Sequence, residues 1–89
     1  MKFELGAIVA TPGALAAMEE AGINPASLLL KHVSGDWGDL CPEDRAENEL
    51  SVKAGFRILS SYKLESGCKI WIITEADRSA TTFLLPSEY

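Results

Sequence analysis

The sequence predicts a small α+β fold: an N-terminal strand, then two to three short helices packed on one face of a three- to four-stranded, mainly antiparallel sheet. Three observations carry this. Pro12, Pro25 and Pro42 each stand where a helix would begin, with a glycine beyond the end of each helical stretch. The last third of the chain turns to short runs rich in β-branched and aromatic residues. The connections between those runs are short enough to force a meander of antiparallel strands.

Taken in order, Phe3 to Val9 alternates and then becomes apolar, as a short strand or extended arm would. Thr11-Pro12 supplies an N-cap and a first helical residue for a helix carrying Leu15 and Met18, and Gly22 stops it. Ile23 is placed to contact Met18 across that stop, as a Schellman end prefers. Asn24-Pro25 repeats the start signal for a second helix through Leu28, Leu29 and Leu30 to about His32 or Val33. Pro42 opens a third helix, with Glu43 and Asp44 in the first turn, Lys53 in the last and Gly55 beyond it. Its apolar side, Ala46, Leu50 and Ala54, is narrow, so this helix faces solvent along most of its surface. Strands are expected over Phe56–Leu64, Lys69–Glu75 and Ala80–Leu85, with turns at Glu65-Ser66-Gly67 and Ala76 to Ser79.

With 89 residues, 47% hydrophobic and 24% charged, the composition is that of one globular domain, 1–89. A domain of this size folds alone with modest stability, and a monomer or a small homo-oligomer both fit. A net charge of −5 argues against direct nucleic-acid binding, which needs a basic face. It is compatible with a basic protein partner or with solubility alone, and solubility is the more ordinary reading. Cys41 and Cys68 form no CxxC, and one histidine adds too little for a zinc set, so no metal and no cofactor is expected. No charged segment precedes an N-terminal apolar stretch, and the apolar runs are too short to span a bilayer; a soluble, cytoplasmic protein is expected.

The chemistry is concentrated in two segments. His32 to Leu40 sets Trp37 between two glycines and two acids, Asp36 and Asp39, with the lone histidine at its edge. Thr74 to Ser79 carries Glu75, Asp77 and Arg78. Hairpin geometry puts Arg57 at the end of the meander where Glu75 to Arg78 turn. If the glycine loop lies there too, His32, Asp36, Trp37, Asp39, Arg57, Glu75, Asp77 and Arg78 form one patch. Each also has a structural reading: Trp37 plugs the rim of a small core, the aspartates cap or brace turns, and Arg78 pairs with Glu75 or Asp36. No GxSxG elbow, P-loop or GxGxxG is present. Catalytic residues are not assigned. A base at His32 oriented by Asp36 or Glu75 would still need Cys41, Ser34 or water as nucleophile. The acids lack the spacing of an EF-hand.

Ile8 to Leu15, His32 to Leu40, Ile70 to Ser79 and Thr81 to Pro86 together resemble a small bacterial family encoded on plasmids and other mobile elements. The resemblance covers most of the chain and implies an accessory role, including one directed against host restriction or other defence. Some members of that family bear the label of a type I restriction methyltransferase subunit. The present sequence speaks against such an activity: it has no glycine-rich cofactor loop, no Asn-Pro-Pro-aromatic motif, and too few residues for a methyltransferase domain. The leading expectation is a non-catalytic module that binds a protein partner through the Trp37 loop and the Asp77-Arg78 turn, since Trp and Arg dominate interface hot spots. The alternative is a small-molecule or nucleotide site, or a hydrolase, in which His32 works with Asp36 and the arginines hold an anion.

Overall fold

Two of the three helices start on a capping side chain just ahead of a proline. In the computed structural model, which describes residues 1–89, Thr11 Oγ1 accepts from the Ala14 N–H (3.1 Å) and Asn24 Oδ1 from the Ala26 N–H (3.0 Å). They open α1 (Pro12–Glu20) and α2 (Pro25–Ser34). α1 ends as the sequence implies: Gly22 is left-handed, the Ile23 N–H reaches the Met18 carbonyl (2.9 Å), and Ile23 packs on the cluster that holds Met18. α2 ends on left-handed Gly35. α3 (Pro42–Ala54) follows Cys41, whose side chain makes no capping bond, and Gly55 ends it.

β1 (Ala7–Ala10), β2 (Ile58–Lys63), β3 (Lys69–Thr74) and β4 (Ala80–Leu84) form one sheet in the order β1-β4-β3-β2. β2, β3 and β4 are the expected antiparallel meander, while β1 joins β4 in parallel, so the sheet is mixed. β1 also begins later than alternation predicts. Phe3 is drawn into the core instead of a strand, and Gly6, at φ 65°, redirects the chain into β1. A Cβ on Gly6 would lie 2.3 Å from the Arg78 carbonyl oxygen, so the arm passes too close to the β3–β4 turn for any other residue.

Cross-strand register puts Ile58, Ser60, Tyr62, Ile70, Ile72, Thr74, Thr81 and Phe83 on one face. α1 and α2 cover it. Ala14, Met18 and Leu28 meet Tyr62, Leu64, Ile70, Ile72 and Phe83 in one cluster, and Phe3, Val33, Trp37 and Ile58 form a second. α3 departs from this pattern. Its buried residues are polar, Asn48 and Ser51, while Leu50 is 55% exposed, because α3 docks along the β2 edge by hydrogen bonds instead of on the face. On the opposite face a 3-10 turn at Pro86–Glu88 returns the chain so that Tyr89 meets Trp71 edge-on (5.8 Å) and lies beneath the Arg57 guanidinium (5.3 Å). Glu88 anchors the turn by accepting from Thr11 Oγ1 (2.6 Å) and the Leu85 N–H (2.8 Å). No helix is long and apolar enough to cross a membrane.

Candidate functional site

His32 is fully buried, one turn beyond Leu28 on the sheet-facing side of α2. Its Nδ1 meets Ser60 Oγ and its Nε2 meets Thr74 Oγ1 (2.9 Å); Thr74 Oγ1 meets Thr81 Oγ1 (2.8 Å), which reaches the Leu5 carbonyl (2.7 Å). The Leu5 carbonyl has no hydrogen to give, and that fixes the direction of the whole chain. Thr81 donates to Leu5, Thr74 to Thr81, and His32 Nε2–H to Thr74, so Nδ1 is left to accept from the Ser60 hydroxyl. The chain places a proton on Nε2, and burial, which lowers the His32 pKa from 6.5 to about 4, leaves the ring neutral at pH 7 as the Nε2–H tautomer. Ser60, Thr74 and Thr81 lie on β2, β3 and β4, and Leu5 leads into β1, so the relay crosses the whole sheet.

Trp37 is buried as well, at 4% exposure. Its ring stacks on Phe3 (6.1 Å) and meets His32 edge-on (6.1 Å), and its Nε1–H donates to Glu49 Oε2 on α3 (2.8 Å). The loop around it is tied on three sides. Tyr62 O–H donates to the Asp36 carbonyl (2.7 Å), and Arg45 donates to the carbonyls of Leu40 (3.0 Å) and Gly38 (2.9 Å). Gly38 also bridges to Ser61 of β2. Burial holds the Tyr62 phenol up at about 12, so it stays a donor.

The β3–β4 turn is equally engaged. Arg78, left-handed at φ 60°, donates to the carbonyls of Phe56 (2.7 Å) and Glu75 (3.1 Å) through one nitrogen and to Ser51 (2.9 Å) through the other. Its guanidinium covers the Phe3 ring (5.7 Å). The sequence suggested a carboxylate partner, Glu75 or Asp36. Arg78 takes backbone carbonyls instead, because the C-terminal end of α3 and the chain leaving it bring the Ser51 and Phe56 carbonyls within its reach. Asp77 accepts from the Ser79 N–H (3.0 Å), and Ser79 holds its carboxyl below the usual range.

The eight predicted residues therefore do not share one surface. His32 and Trp37 meet inside the molecule, and Arg78 joins them only through the Phe3 ring. Asp36 and Asp39 are exposed beside Lys31, Lys63 and Glu65, because the Gly38–Ser61 bridge aligns the loop with the Ser61–Lys63 half of β2. Glu75 and Asp77 are exposed at the other end of the meander, and Arg57 is turned onto Tyr89. Cys41 is exposed but not primed as a nucleophile. The Asp44 N–H favours its thiolate, yet the Asp44 and Glu43 carboxylates outweigh it and hold the thiol above its ordinary pKa.

Two features escaped the sequence reading. Ser60, Thr74 and Thr81 sit in phase with apolar inward positions, and that alternation was the available signal. In the sequence Leu50 and Phe56 look like ordinary helix and strand residues. They stand 55% and 56% exposed on an open cleft of about 370 Å³, lined also by Leu40, Asp44, Glu47, Arg57 and Leu59. Compared with known protein families, curated proteins and solved structures, the chain matches none of them.

Proposed function

We propose that the protein is a non-catalytic interaction module whose α3–β2 cleft takes a basic, partly apolar segment of another protein. The observation that supports this is the pairing of Leu50 and Phe56, each more than half exposed, with Asp44 and Glu47 in one cleft, where two acids face a single cation, Arg57. Exposed large apolar groups rimmed by charge mark interaction surfaces, and an aromatic side chain is a frequent binding anchor. The acids and the net charge of −5 favour a cationic partner and speed its approach. The mobile-element resemblance supplies a setting for this reading, a cytosolic accessory module directed at a host protein. A hydrolase built on His32 has less support: both ring nitrogens are engaged, and the residue is fully buried and does not line the α3–β2 cleft.

The test is fluorescence anisotropy with labelled peptides that alternate Lys or Arg with Leu or Phe, beside acidic peptides of the same apolar content. Basic peptides bind, added salt weakens them, and Phe56→Ser lowers affinity by about tenfold, the equivalent of about 1.4 kcal/mol. Binding that ignores Phe56→Ser, or the absence of any preference for basic peptides, overturns the reading.

A further inference from the structure

We infer that β1 is the contact edge of a two-fold dimer, with a second copy of this chain as its partner. The Ala7 N–H bonds the Ser79 carbonyl (3.0 Å) and the Thr11 N–H bonds the Phe83 carbonyl (3.0 Å), so alternate residues of this strand face β4. Ile8 and Ala10 therefore direct their N–H and C=O groups away from the sheet. These outward groups are symmetric about Val9. In an antiparallel pairing of two β1 strands, Ile8 of each copy exchanges both backbone bonds with Ala10 of the other. That makes four bonds, with Val9 opposite Val9 on the axis.

The self-complementary edge selects a second copy as occupant, and the local charge permits it. Two chains of net charge −5 repel overall, but Leu5 to Pro12 carries no charged side chain, and the acid-rich α3 lies along the opposite edge of the sheet. Ile8 and Val9 are each 49% exposed, and nothing on β1 itself serves as an edge guard: no lysine, no proline, no bulge. Pairing covers both side chains and yields one eight-stranded sheet with an α3 cleft at either end. A four-residue strand buries less area than a standard interface, so the dimer forms with rising concentration and is not permanent.

Analytical ultracentrifugation over a range of concentrations tests this. Wild type rises from 9.6 kDa towards twice that mass. Val9→Lys and Val9→Glu each stay monomeric, because like charges meet on the axis, and an equimolar mixture of the two dimerises again. Amide hydrogen exchange on the unmutated chain provides a second readout: the Ile8 and Ala10 amides slow at high concentration. A mass fixed at that of one chain, a dimer indifferent to both Val9 variants, or a dimer whose Ile8 and Ala10 amides stay fast overturns the inference.

Discussion

The two edges of this sheet are finished in opposite ways. On β2, the backbone groups of Leu59 and Ser61 that point outward are all taken. Asn48 donates to the Leu59 carbonyl (2.6 Å) and accepts from its N–H (3.2 Å), while Ser61 bonds the Trp37 carbonyl (3.1 Å) and the Asp39 N–H (2.6 Å). The next outward position is Lys63, a charge that discourages further pairing. On β1 nothing comparable exists. The residues that make the loop look like a binding site are thus the ones that seal an edge. Trp37, Asp39 and Gly38 are chemically conspicuous because a strand edge, a helix and a core must all be satisfied within a few residues.

The largest way to break this contrast is Gly38→Ala. A Cβ there would lie 2.1 Å from the Ser61 carbonyl oxygen, which cannot retreat without leaving the sheet, and the residue holds φ at 76°. Gly55 is also left-handed, at φ 80°, but meets nothing within 4 Å. We expect Gly38→Ala to cost about 4 kcal/mol and Gly55→Ala about 1 kcal/mol, read from urea unfolding. Equal losses at the two positions would mean that the loop does not hold the β2 edge.

The relay beneath the sheet gives the next effect. Unfolded, His32 takes its proton near 6.5; folded, burial keeps it neutral down to about 4. The unfolded chain binds more protons across that window. The contribution is therefore complete above pH 6.5 and is lost as pH falls towards 4. It amounts to about 3 kcal/mol. Urea midpoints at several pH values should show this decline, and His32→Gln should flatten it. An unchanged slope in that variant would mean that the proton is taken up elsewhere.

What could be read from the sequence follows the range over which each signal acts. Thr11, Asn24, Pro42 and Gly55 set helix ends through contacts within a few residues, and all three helices begin at the expected prolines. The meander was legible because its connections leave no alternative. The course of β1 was not, since it depends on Phe3 entering a core built from Val33, Trp37 and Ile58, all distant in sequence. The candidate patch failed to converge for a related reason. Residue types show that Trp37, His32 and Arg78 need partners, but Glu49, Thr74 and the Phe56 carbonyl become partners only through register and through the docking of α3. The exposed cleft was hidden because Leu50 reads as the inward side of an amphipathic helix, whereas α3 turns Asn48 and Ser51 inward.

The smallest pair of effects compares the edges directly. Asn48→Ala orphans a backbone N–H and C=O on β2 within a largely covered edge, and should cost about 2 kcal/mol. Ile8→Lys on β1 removes no backbone bond, because the Ile8 groups already face outward and the side chain is 49% exposed. Its cost in dilute protein, where a single copy is measured, should stay within about 0.5 kcal/mol. The distinction lies in which groups lose a partner, since both substitutions alter one residue on or against an outer strand. If Ile8→Lys destabilises the dilute protein as much as Asn48→Ala does, β1 is held by contacts of its own and is not a free edge. If the two differ as expected, α3 and the loop around Trp37 stabilise the fold by sealing one edge, and the other edge is left available for pairing at almost no cost to stability.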